Sequence, residues 1–238
     1  MIGGFIVYGD LPKRLVLRAI GPSLTSFGIS DAMPDPSLCL FDSSGAAVAL
    51  NDNWRSDQGQ IIEETGLAPS HDLEAALVTV LSPGSYTVVI NDATGSQGIA
   101  LFELYDLEPT SSQLINLSTR GAVETQDRVM VGGLIIYGQQ PTEFLIRAIG
   151  PSLAQSGIED TLTDPTLQLY DDQGSLVREN DDWRSDQEQQ IIETTLAPSD
   201  DRESAILATL VPGAYSAIVR GISDSRGTGL LEIYKPLP

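Results

Sequence analysis

One cysteine, one histidine, few bases, few aromatics and no long apolar run leave this chain of 238 residues without most of the usual instruments of chemistry. Cys39 stands alone, so no intrachain disulfide forms, and there is no CxxC or Cys/His cluster to hold zinc. Thirteen Lys and Arg face 33 Asp and Glu, giving a net charge of -20 and a pI near 4.1. Such a surface repels phosphate backbones and anionic membranes, which excludes nucleic acid as a partner. No apolar run approaches the ~18 residues of a membrane span, and no cleavable signal is visible. Aromatics make up only 6% of the residues, a thin supply for a glycan-stacking face. What is abundant is turn chemistry: 22 Gly and 14 Pro break the chain into short segments.

Those segments are written twice. A shift of about 129 positions lays residues 1–105 on 130–234 without a gap, with about half the positions identical. GGFIVYG meets GGLIIYG, LVLRAIGPSL meets FLIRAIGPSL, DPSLCLFD meets DPTLQLYD, and LSPGSYTVVI meets LVPGAYSAIV. The lone His71 meets Asp200, so a duplicated histidine-based catalytic site is excluded. Met1 meets Met130, an apolar position leading into a strand, which suggests that the sequence begins inside a longer polypeptide. Only the second copy is preceded by SQLINLSTRGAVETQDR, residues 112–128. The expected domains are therefore 1–108, short of an N-terminal strand, and 109–238, which includes that segment. An upstream stretch or a neighbouring subunit would supply the missing strand.

Runs rich in Val, Ile, Leu, Tyr and Phe between Gly, Pro, Asp, Asn and Ser clusters mark antiparallel strands. The pattern predicts strands near 4–8, 14–20, 37–42, 46–50, 74–81, 84–91 and 98–105, with equivalents in the second copy. DSSG at 42–45 and DDQG at 171–174 are hairpin turns, as are SPGSY and VPGAY. FIVY and LIIY are apolar on both faces and suggest central strands. Only PSLTSFGI and QIIEET, with their mates, look locally helical, for a turn or two each. Seven or so strands per ~100 residues predict an all-β chain of two tandem antiparallel β-sandwich, jelly-roll-like domains.

The densest polar motif is NDNWRSDQ, Asn51 to Gln58, repeated as NDDWRSDQ, Asn180 to Gln187. Asp42, Asn51, Asp52, Asn53 and Asp57, with Asp171, Asn180, Asp181, Asp182 and Asp186, supply the hard oxygens that Ca²⁺ takes six to eight at a time. The spacing is not that of an EF-hand. The other reading is a structural corner, with Asn and Asp closing a turn through backbone bonds, Trp54 or Trp183 plugging the sandwich, and Arg55 or Arg184 paired with an acid. The corner leads and calcium is its rival. Arg18 and Arg147, inside apolar strands, require carboxylates, for which Glu74 and Glu203 are the expected partners. Ser23 and Ser152 sit in GPSL, which is not a nucleophile elbow, and belong to a turn. Asp35 and Asp164 precede proline at strand starts, and Asn116-Leu-Ser118 is an N-glycosylation pattern.

The stretches DPSLCLFDSSGAAVALNDNW…LSPGSYTVVINDATGSQGIALFELYDL and DPTLQLYDDQGSLVRENDDW…LVPGAYSAIVRGISDSRGTGLLEIY resemble the bacterial pre-peptidase C-terminal domain. Each match covers about two thirds of a repeat. The front part, GGFIVYG through RAIGPSL, is similar to a repeat of multi-domain exported bacterial proteins. The resemblance implies a jelly-roll sandwich, export, no catalysis of its own and, in some members, Ca²⁺, with Asp42, Asn51, Asp52, Asp171, Asn180 and Asp181 on the acidic edge. The expected function is a non-catalytic extracellular structural protein: a building block of a surface layer, adhesin stalk or filament, joined to copies of itself or other surface proteins by strand addition. Leu114 to Thr119 is the candidate donor. The alternative is a glycan- or substrate-binding accessory module of a larger secreted enzyme.

Overall fold

Alternating apolar residues on short strands bury one face each, and here they do so in two sheets per unit. The structure is a computed structural model and describes residues 1–108, 112–126 and 128–236. The chain divides into two compact units, Met1–Ile115 and Asn116–Pro238. The 108/109 boundary expected from sequence and Asp127 of the 112–128 segment touch positions outside the described residues.

The second unit is the complete one. It contains β8 (Gln113–Val123) from Asn116 onward, β9 (Met130–Ile136), β10 (Thr142–Ile149), β11 (Pro165–Asp171), β12 (Leu176–Asn180), β13 (Ser204–Leu210), β14 (Gly213–Gly221) and β15 (Gly227–Tyr234). Its sheets run β8-β15-β10-β13 and β9-β14-β11-β12, every pair antiparallel. Numbering the eight strands of this unit in order, the sheets are 1-8-3-6 and 2-7-4-5, a jelly roll. Phe144, Ile146, Leu167, Leu169, Ile206, Val219, Leu231 and Ile233 fill the space between them.

The first unit repeats this with β1 (Ile2–Tyr8), β2 (Lys13–Ile20), β3 (Pro36–Phe41), β4 (Ala47–Asn51), β5 (Ala75–Leu81), β6 (Gly84–Asp92) and β7 (Leu101–Asp106). One sheet holds β1-β6-β3-β4 and the other only β5-β2-β7. Among the described residues of this unit nothing pairs along the outer edge of β7, the strand matching β15. Its core is Phe5, Leu15, Leu17, Leu38, Leu40, Leu77, Val88 and Ile90, and Leu114 packs onto it.

The helical segments are short: 3₁₀ turns at Pro22–Phe27 and Pro151–Ser156, and the helices α1 (Gly59–Glu64) and α2 (Glu188–Glu193). With Trp54 or Trp183 they cover the outward face of β2–β5 or β10–β13. The strands buried on both faces are therefore β2 and β10. LIIY does not hold a central place: it lies in β9, at the end of its sheet, with Val131 52% and Ile135 57% exposed. The glycine of RAIGPSL is a matter of space, since a Cβ on Gly21 or Gly150 would stand 2.2 Å from the carbonyl oxygen of Met33 or Leu162.

The neighbour changes the strand. β15, paired on both sides, runs eight residues from Gly227, whereas β7 starts only at Leu101, three positions later in the repeat. Leu231 and Ile233 are 2% and 5% exposed, but their counterparts Phe102 and Leu104 are only half-buried. In hydrogen exchange on dilute protein, the amides of Phe102–Leu104 that point away from β2 will exchange faster than those of Leu231–Ile233. Equal protection would mean that the first unit's edge is already closed.

Candidate functional site: a repeated corner and an open edge

The NDxWRSDQ motif leaves β4 or β12 and turns over the outer edge of β5 or β13. An edge strand presents unpaired N–H and C=O groups every second residue. Asn51 meets the first, its Oδ1 accepting from Ala76 N at 3.0 Å while its Nδ2 donates to Asn53 O at 3.2 Å. Gln58 meets the next pair like a strand residue: Nε2 donates to Val78 O at 3.1 Å and Oε1 accepts from Val78 N at 2.8 Å. The second copy repeats this, with Asn180 on Ala205 N at 2.9 Å and Gln187 on both backbone groups of Leu207 at 2.9 and 3.2 Å. Two amide side chains thus complete the edge that a further strand would otherwise occupy.

Between them stands the tryptophan. Trp54 and Trp183 are 1% and 2% exposed, and each indole N–H donates to the carbonyl of His71 or Asp200 at 3.2 Å. Arg55 and Arg184 lie over the rings at 3.9 and 4.1 Å from the centroid, a cation–π contact. Asp72 and Glu63 hold Arg55, and Asp201 and Glu188 hold Arg184. His71 and Asp200 contribute the same backbone carbonyl, which is why the one histidine is interchangeable with an aspartate.

The candidate calcium ligands are spread over this frame. The Asp42 carboxylate accepts from the amides of Ser44 and Ala46, and that of Asp171 from Gln173 and Ser175, each closing its hairpin; these bonds hold the Asp42 carboxyl below its ordinary range, the Ser44 hydroxyl contributing most. Asn51 and Asn180 are spent on the edge. Asp52 accepts from Asn53 Nδ2 at 3.2 Å, and Asp182 serves through its carbonyl, which takes bonds from Asn180 and Ser185. Asp57 is exposed before α1, Asp181 is exposed with its carbonyl on Ser204 Oγ, and Asp186 pairs with Arg178 at 2.8 Å. Among the described residues no three His, Cys, Asp or Glu side chains gather as a metal requires.

A second constellation was misassigned by sequence reasoning. Arg18 does not pair with Glu74, nor Arg147 with Glu203. Arg18 stands opposite Glu103 in the β2–β7 register, and its Nε donates to Glu103 Oε2 at 2.7 Å while Nη1 reaches Leu67 O at 2.7 Å. Arg147 takes Glu232 and Leu196 O in the same way. Tyr105 and Tyr234 donate to the other oxygen of each glutamate at 2.8 Å, and burial with the adjacent carboxylate pushes the Tyr234 phenol up to about 12. Glu74 and Glu203, both 0% exposed, instead satisfy backbone donors. Glu74 Oε1 accepts from Gly21 N, Ser23 N and Ser23 Oγ at 3.1, 3.0 and 2.5 Å, and Oε2 accepts from His71 N at 3.2 Å. Ser23 and Ser152 are therefore donors to a buried carboxylate. In the second unit Arg147, Ser152, Glu203 and Glu232 line an open cleft of about 280 Å³, with the groups engaged to one another.

Asp35 and Asp164 do precede the strands that start at Pro36 and Pro165. Burial, with Asp52 and Asp92 nearby, raises the Asp35 carboxyl, and burial, with Asp181 and Asp182 nearby, raises that of Asp164. Asn116 is 8% exposed within β8, so its glycosylation pattern is not presented to solvent, and Cys39 is half-buried in β3.

No model of a known protein family matches the chain, and no curated protein sequence does. Among solved structures it is similar to the STIV MCP at 12% identity and a TM-score of 0.31, covering 98% of this chain and 92% of that one. It is similar to the major capsid protein P2 from bacteriophage PM2 at 8% identity and a TM-score of 0.28, covering 99% and 92%. A putative secreted protein from Eubacterium rectale follows at 9% and 0.23, covering 98% and 68%. No helix among the described residues is long and apolar enough to cross a membrane.

Two measurements check the corner. Asn51→Ala leaves the Ala76 amide buried without a partner and will cost about 1–3 kcal/mol of stability, whereas Asp52→Asn with Asp57→Asn, both exposed, will change it by under about 0.5 kcal/mol, in denaturant titrations with or without calcium. The reverse ranking, restored by calcium, would make the loop a metal site. A raised carboxyl binds its proton more tightly folded than unfolded, so ionised Asp164 destabilises the fold, and stability declines as pH rises from the ordinary value of 3.8 through the raised one. Asp164→Asn will raise the melting temperature at pH 7, and the gain will vanish below the ordinary range.

Proposed function

We propose that this chain is a non-catalytic structural building block of an extracellular or cell-surface assembly, such as a surface layer, adhesin stalk or filament, which joins copies of itself by strand addition. The observation that carries this reading is the unequal treatment of equivalent edges: β15 is covered by β8, while among the described strands β7 has a neighbour, β2, on one side only. Strand addition to an edge uses backbone bonds for affinity and side-chain pattern for specificity. A heterologous contact of that kind builds chains of molecules rather than closed dimers.

The chemistry of the buried polar groups supports the non-catalytic part. Arg18, Glu74, Glu103, Ser23 and their mates form closed hydrogen-bonded sets that tie loops to strands. The resemblance to exported bacterial repeats supports an extracellular place, and the surplus of acids suits a soluble surface. The accessory-module alternative has one observation in its favour, the exposure of Tyr137 at 86% and Phe27 at 81%. They are single side chains on different elements, which suits a sugar platform poorly.

Negative-stain electron microscopy of the concentrated protein, with and without a chelator, tests the reading. Filaments or lattices are expected. Their loss on chelation would add calcium to the assembly; dispersed particles that bind a glycan on an array would replace the reading with the accessory module.

A further inference from the structure

The duplication supplies an internal control for the open edge, because the same strand occurs once with its neighbour and once without. In the second unit β8 lies antiparallel on β15 with Asn116 opposite Tyr234, Leu117 opposite Ile233, Ser118 opposite Glu232, Thr119 opposite Leu231 and Arg120 opposite Leu230. The residues facing the core from β8 are small or branched, ending in Val123 at 0% exposure. In the first unit the matching edge residues are Tyr105, Leu104, Glu103, Phe102 and Leu101, and the last is 41% exposed. The Glu103 side chain is 20% exposed against 11% for Glu232, although both hold the same arginine. Each difference has the sign expected from removal of one strand.

We propose that the outer edge of β7 is an acceptor for one further antiparallel strand of this repeat's own type, with the residue pattern of Asn116–Val123, seated in the register that β8 takes on β15. The proposal rests on the strand-addition reading and names the strand that is added. Two features select this occupant over an arbitrary peptide. Val123 belongs to the second unit's core and Leu117, Thr119 and Gly121 share its strand face, so this face is the one that the equivalent groove accepts there. Its single charge, Arg120, falls opposite Leu101 and beside an edge that carries Glu103, Asp106 and Glu108, in a chain whose net charge of -20 discourages acidic strands.

The test uses the whole chain and a synthetic peptide of residues 113–126. With fluorescein on the peptide, anisotropy against the unmodified protein will show saturable binding that a scrambled peptide does not compete. Register is read with Cys39→Ser, Leu101→Cys protein under mild oxidation: a peptide carrying Arg120→Cys will form the mixed disulfide, and peptides carrying Ser118→Cys or Ala122→Cys, on the same strand face but shifted by two residues, will form at least about tenfold less. No saturable binding, or equal cross-linking at all three positions, overturns the proposal. The assembly reading fails separately. Filaments from a protein that ignores the peptide would place the contact elsewhere, sinking this proposal and leaving assembly intact; a bound, register-specific peptide on a protein that never polymerises would keep the acceptor edge and sink self-assembly.

Discussion

Every element of this fold answers to the obligation to satisfy the backbone groups along a sheet edge. A buried amide without a partner costs about 1–3 kcal/mol, and an exposed one is a template for foreign strands. The two sheets of each unit meet this obligation by different means. β4 and β12 carry a register shift against β3 and β11, between Leu40 and Phe41 and between Leu169 and Tyr170, which bends the edge away from regular pairing. β5 and β13 are completed by the amide side chains of Asn51 and Gln58 or Asn180 and Gln187. β15 receives a strand. The Leu101–Asp106 stretch of β7 contains neither proline, lysine nor a bulge, the features that commonly blunt such an edge.

The edge corner is anchored by a buried carboxylate. Glu74 opens β5, its carbonyl takes the Trp54 amide at 2.9 Å, and its side chain gathers the amides of Gly21, Ser23 and His71. Three separated motifs, RAIGPSL, NDNWRSDQ and LAPSHD, thereby meet at one residue. A fully buried carboxylate is tolerable because each oxygen is occupied by donors. Arg18 adds a fourth tie through Leu67 O, so the loop after α1 is bound to β2. The whole set recurs around Glu203, where Gly150, Ser152 and Asp200 take the places of Gly21, Ser23 and His71.

The strands were legible in the sequence because side-chain alternation and turn residues are local signals. Leu38, Leu40, Val88 and Ile90 announce their faces without reference to anything distant. Partner choice was not legible. Arg18 meets Glu103 rather than Glu74 because β7 lies beside β2 in that register, a fact carried by no neighbour in sequence. NDNWRSDQ was ambiguous for a chemical reason: a hard oxygen that completes a backbone amide and one that binds a cation belong to the same residue types. The positions of Ala76 N and Val78 N show what Asn51 and Gln58 are used for. The placement of LIIY failed for a related reason, since an apolar run reports hydrophobic faces and is silent on whether a strand lies in the middle of a sheet or at its end.

Duplication turns these contrasts into evidence about cause. Phe102 and Leu231 differ in size, but Glu103 and Glu232 are identical, hold the same arginine through the same oxygen, and still differ in exposure. Sequence at the strand cannot explain that difference, and the presence of β8 can. β7 also begins three positions later than β15, and in the stretch before it Ile99 is held by a single bridge to Ala32 instead of a strand pairing. One edge of this sheet is closed by an eight-residue motif present in both copies, while among the described strands the opposite edge has a neighbour only in the second unit. The corner blocks pairing at β5, so that among the described strands of this sheet the remaining outer edge is that of β7.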